Sequence, residues 1–156
     1  MSGDLLDVNV LLALAWPNHQ FHEASRRWFR NRGGRRWLTC SITEIGFVRL
    51  SCNPAFSADY KTPREATALL GIMLDHPDHG FVKDSLSTAD ETFVSAADNL
   101  HGHKQVTDAY LVALAQTQGL TLLTFDRKIE AFCPFPDVVE VLGMMEKSSV
   151  PYKFPL

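Results

Sequence analysis

Three short apolar runs constrain this chain most: DLL at 4–6, RWLTC at 36–40 and TLLTF at 121–125. None shows the strict alternation of a strand with one solvated face. Strands of this kind are buried on both faces, as in a parallel sheet covered by helices. Between the runs the apolar spacing becomes helical. Helices are expected over 8–15, 20–32, 41 to about 51, 63 to about 74, Ser87 or Thr88 to about Leu100, Thr107 to about Gln118, and 127–132. In the second of these, Phe21, Ala24, Ser25 and Trp28 share one face. Ser41 and Thr107 are the expected N-caps, and Gly33-Gly34 and Gly119 the stops. Two further strands are expected in FVKD (81–84) and FPDVVEVL (135–142). Strands alternating with helices predict an α/β fold.

A chain of 156 residues can bury a real core, and 46% hydrophobic with 21% charged residues suits an ordinary globular protein. We expect one domain over 1–142 and a tail over 143–156. A net charge of −3 gives no general attraction to nucleic acid, although a local patch or bound metal can reverse the field at one site. The cysteines, Cys40, Cys52 and Cys133, are odd in number and lack CxxC spacing. That pattern suits free thiols in a reducing compartment. No apolar run reaches membrane-spanning length and MSGDLLDVN lacks a basic flank, so a cytoplasmic protein away from membranes is expected.

Four carboxylates interrupt this apolar framework. Asp7 closes the first strand, and Asp126 follows TLLTF. Ligands of open parallel sheets bind beyond the C-terminal strand ends, so both acids should share one rim. Glu44 is at helical spacing with Phe47 and Val48, and Asp108 with Leu111, Val112 and Ala115. Both occupy first helical turns that face the same rim, where the helix dipole favours an anion. Each acid alone has a bland role. Asp7 can cap the next helix, Glu44 can complete a capping box with Ser41, Asp108 can be a first-turn acid and Asp126 a turn residue. Four together repel one another and need cations. No lysines are placed to supply them, whereas Mg²⁺ or Mn²⁺ with oxygen ligands would. Such ions polarise a phosphoryl oxygen and generate hydroxide from water.

The series DVNVLLAL, S-x-x-E on a helix, TDAYLVALA and TLLTFD resembles the PIN domain, and within it the VapC-type toxins of bacterial toxin–antitoxin systems. Order and spacing agree from residue 4 to about 142. The resemblance implies a three-layer α/β/α sandwich with a central parallel sheet, acting as an Mg²⁺- or Mn²⁺-dependent endoribonuclease on RNA. It assigns Asp7, Glu44, Asp108 and Asp126 as catalytic metal-binding acids, with Asn9 and Thr124 supporting them. It also implies a homodimer and a cognate antitoxin whose tail lies in the active groove.

Six of the nine arginines, Arg26, Arg27, Arg30, Arg32, Arg35 and Arg36, lie within RRWFRNRGGRR (26–36). They suit an RNA or antitoxin contact near the groove, or equally the solvated face of a helix whose Trp28 packs inward. The histidine pairs His19/His22, His76/His79 and His101/His103 lack third and fourth zinc ligands and suit loops and surface. Two other functions fit parts of the pattern. A receiver-like Mg²⁺-binding phospho-acceptor domain is also α/β, but gives Glu44 and Asp108 no role. A non-catalytic PIN-like module would not need all four acids.

Overall fold

The computed structural model describes residues 2–143. Its elements are β1 (Asp4–Leu6), α1 (Val8–Ala15), α2 (His22–Asn31), β2 (Trp37–Cys40), α3 (Ser41–Ser51), α4 (Pro63–Leu74), β3 (His79–Val82), α5 (Glu91–Ala97), α6 (Val106–Gln118), β4 (Thr121–Thr124), α7 (Arg127–Phe132) and β5 (Val139–Val141). A 3₁₀ turn, His103–Gln105, leads into α6. Of the expected tail, only Gly143 falls within the described residues.

All strand pairs are parallel, in the order β3-β2-β1-β4-β5. The period-two alternation of a strand sends Leu5, Leu38 and Leu122 to one face and Leu6, Trp37 and Leu123 to the other. The first face is covered by α5, α6 and α7 through Phe93, Ala96, Leu111, Leu114, Ile129 and Phe132. The second is covered by α1, α2, α3 and α4, with Val10, Leu11, Phe47 and Leu70 buried and Phe21, Ala24 and Trp28 packed against them. Both faces of β1 are therefore dry, which explains the consecutive leucines Leu5 and Leu6, while the buried Asp4 that opens the strand is paired with Arg35. The result is the expected three-layer α/β/α sandwich. The order differs from the 2-1-3-4-5 arrangement of flavodoxin-like receiver domains, which removes that alternative.

Several boundaries differ from the sequence expectation for local reasons. Ser41 is the first residue of α3 and Cys40 its cap; the Thr43 hydroxyl accepts from the Cys40 amide at 3.1 Å. No S-x-x-E capping box forms. Thr107 lies inside α6, because the 3₁₀ turn already delivers the chain at Val106. The fifth helix starts at Glu91, since Asp90 accepts from the Ser87 amide at 2.7 Å and ties 87–90 into a turn. The third strand is His79–Val82, two residues earlier than expected. Gly119 ends α6 in the left-handed conformation, φ 68°, as its position predicts. No helix among the described residues is long and apolar enough to cross a membrane.

Candidate metal centre

The strand order reverses direction at β1, which makes the crevice between β1 and β4 the switch point where α/β sheets bind ligands. Asp7 leaves β1 there. Its amide continues the ladder by donating to Leu123 at 2.9 Å, so the backbone that carries its carboxylate is fixed to β4. Asp7 is only 6% exposed. One oxygen accepts from the Val8 amide at 2.7 Å, capping α1, and the other accepts from the Thr124 hydroxyl at 2.7 Å. Capping and site membership are thus compatible, because each carboxylate oxygen keeps a second lone pair.

Thr124 organises the floor. Its single proton goes to Asp7, and its oxygen accepts from the Asn9 side-chain amide at 3.2 Å and the Asp126 backbone amide at 3.0 Å. That saturates a hydroxyl, which has one donor and two lone pairs. Asn9 closes the ring by accepting from the Phe125 amide at 3.2 Å. These bonds fix Asp7 relative to the turn that carries Asp126, and Asp126 in turn caps α7 through the Lys128 amide at 2.9 Å. Thr124→Val should strand buried donors and cost about 1–3 kcal/mol. Thr124→Ser should retain most of that stability, and thermal denaturation of the two variants distinguishes them.

Asp108 stands in the first turn of α6. Burial first, then the charges of Asp7 and Asp126, push its carboxyl up to about 7. Burial also raises Asp7, with Asp126 adding to it; the bonds from Thr124 and Val8 oppose the rise. Among the described residues, Asp108 has no hydrogen-bond or ion-pair partner, and the ion pairs Arg32–Asp78 and Arg35–Asp4 lie elsewhere.

The structure therefore places Asp7 and Asp108 on one cavity, with Asp126 near enough for its charge to act on both. It does not bring Glu44 to them. Ile42, Ile45, Gly46 and Arg49 line the cavity beside Asp7 and Asp108, at the i, i+3, i+4, i+7 spacing of one helical face. Glu44 is on the other side of α3, with Phe47. Its carboxylate accepts from the Thr39 hydroxyl at 2.6 Å, and Thr39 contacts His79 Nε2 at 2.8 Å. The signal was present in the sequence: the Phe47 stripe that Glu44 follows faces the sheet.

The arginine run is also displaced from the expected groove. Arg32 pairs with Asp78 at 2.6 Å and lies over Phe29; Arg35 pairs with Asp4 at 2.9 Å; Arg36 donates to the His79 carbonyl. Asp4, Asp78 and His79 mark strand N-termini, the edge opposite the acids. Arg26 and Arg30 line a separate cavity of about 470 Å³ with Phe29, Trp37 and His76, and Arg27 shares their helix. The histidines have local roles: His22 contacts the Ala13 carbonyl, and His19 and His76 accept from nearby amides. His101 and His103 are exposed.

Hard carboxylate oxygens with no ion-pair partner among the described residues suit a hard divalent ion. Such an ion commonly takes only one or two protein carboxylates and keeps several waters. Asp7 and Asp108 provide that number. As the side chains stand, no three His, Cys, Asp or Glu among the described residues are close enough to share an ion.

Residues 5–133 match the PIN domain. The chain belongs to the PIN-domain family. It is 41% identical over 141 residues to Ribonuclease VapC39 of Mycobacterium tuberculosis, covering 88% of this chain and 98% of that protein. Ribonuclease VapC38 of the same species is 39% identical over 122 residues, covering 78% and 84%. Ribonuclease VapC44, also from M. tuberculosis, is 39% identical over 125 residues, covering 80% and 87%. Among solved structures, the VapBC2 crystal structure from Rickettsia felis, bound to a promoter DNA fragment, aligns with TM-score 0.56 and 12% identity. It covers 91% of this chain and 99% of the matched one, which supports the shared fold.

Proposed function

We propose that this PIN-domain protein is a divalent-metal-dependent endoribonuclease and the toxin of a type II toxin–antitoxin pair. The observation that carries the reading is the shared cavity of Asp7 and Asp108 at the switch point, where Asp108 has no hydrogen-bond or ion-pair partner among the described residues and the charge of Asp126 acts on both. Asp7 and Asp108 are the principal ligands for Mg²⁺ or Mn²⁺, and Asp126 the third acid. When bound, the ion supplies Lewis acidity, polarising a phosphoryl oxygen and lowering the pKa of water. The protein's part is to hold the carboxylates. Thr124 and Asn9 fix Asp7 against β4, and the helix caps keep Asp7 and Asp126 from turning away. Burial of Asp7 keeps bulk water from screening its charge.

The relatives named VapC and the VapBC structural neighbour support an antitoxin partner and an RNA substrate. We assign the nuclease domain to 1–142, with 143–156 as a tail, and expect a homodimer in the cytoplasm. Purified protein free of antitoxin should cleave single-stranded or loop RNA with Mg²⁺ or Mn²⁺. EDTA should stop the reaction, and added metal should restore it. Undiminished cleavage in EDTA would overturn the metal-dependent reading.

A further inference from the structure

We propose that Arg49 and Lys104 grip the RNA backbone on either side of the acid cavity. This rests on the nuclease reading of that cavity and adds the substrate contacts it lacks. The cavity, about 480 Å³, is lined by Asp7 and Asp108 together with Arg49 and Lys104. The two cations come from different layers. Arg49 is on α3, which packs on one sheet face; Lys104 is in the 3₁₀ turn before α6, which packs on the other. Both are exposed, and among the described residues neither has a hydrogen-bond or ion-pair partner. Arg32, Arg35 and Arg36 differ on both counts that matter: they are engaged, and they sit at the opposite strand edge.

The electrostatics require such residues. A chain of net charge −3 with carboxylates in its cavity repels RNA. A metal ion at the acids would neutralise the phosphate being cut, but not the phosphates flanking it. Cations on both sides supply that attraction through counterion release and fix the strand's path over Asp108. Between them, Ile42 and the 63%-exposed Ile45 provide apolar surface against which a base can lie. Gly46 keeps this wall close to the acids, since a Cβ there would stand 2.7 Å from the Val8 side chain.

The test is anisotropy of a fluorophore-labelled single-stranded RNA oligonucleotide across a salt series, without divalent ions, in the Asp108→Asn background. Adding Arg49→Gln and Lys104→Gln together should weaken binding to all sequences alike. The slope of log K against log salt should fall by about 0.7 per lost phosphate contact. An Arg26→Gln/Arg30→Gln control should keep the slope. In otherwise unchanged protein with metal, Arg49→Gln should raise KM and leave kcat nearly constant. An unchanged slope in the Arg49/Lys104 variant, an equal loss in the control, or no RNA binding at all would overturn the proposal. A lowered slope in a protein that cleaves no RNA would support these contacts and overturn the nuclease reading alone.

Discussion

Asp7→Asn and Asp108→Asn should each abolish RNA cleavage while leaving far-UV circular dichroism unchanged. Both substitutions keep shape and remove a charged oxygen that the proposed ion would take. The loss should exceed the roughly 10–100-fold that changes in outer-sphere partners typically cost a metal site. Asp108→Asn is the cleaner variant, because Asp108 has no hydrogen-bond partner to disturb among the described residues. Asp7→Asn also places an amide where the Thr124 hydroxyl now donates, so some stability should be lost with activity. Single-turnover cleavage of a labelled RNA measures both. A wild-type rate in either variant would remove that residue from the centre.

The same Asp108→Asn change should stabilise the metal-free protein. Asp108 titrates near 7 in the folded chain against 3.8 as a free group, so the folded state holds this proton more tightly than the unfolded state. Stability from this source is therefore present at low pH and falls as pH rises from about 4 to about 7. Above that window the full penalty of a poorly solvated anion beside two others remains. Without divalent ions, the melting-temperature difference between Asp108→Asn and wild type should be near zero at the acid end. It should grow through the window and then level off. Asp108 is partly open to water, so about 1 kcal/mol should survive screening, or roughly 2–4 °C. A constant difference across pH would show that Asp108 is not held uncompensated.

Much of this was legible in the sequence because it follows from one-dimensional pattern. Short apolar strands without alternation pointed to the parallel sheet, and strand-end position placed Asp7 and Asp126 on one rim. Asp108 followed from a first-turn position ahead of an apolar stripe. Thr124 and Asn9 were marked only by resemblance, and their hydrogen-bond ring appears only when β1 and β4 pair. Glu44 was misplaced because a first-turn position sets height on a helix, not direction; 100° per residue decides which side a group takes. The arginine run stayed open between a contact and a solvated helix face for a related reason. Charge density along the chain cannot reveal that Arg32 and Arg35 are spent on Asp78 and Asp4 at the far edge of the sheet. Arg49 and Lys104 stood singly and gave no comparable signal, yet they are the cations that line the acid cavity.

A metal centre on these acids is tested most directly by calorimetric titration of Mn²⁺ into wild type and Asp108→Asn, above the pH where Asp108 ionises. The expected result is saturable binding to wild type, with a matching rise in melting temperature, and strongly weakened binding to Asp108→Asn. Equal affinity in the two proteins, or none in wild type, would contradict a divalent-ion site built on Asp7 and Asp108.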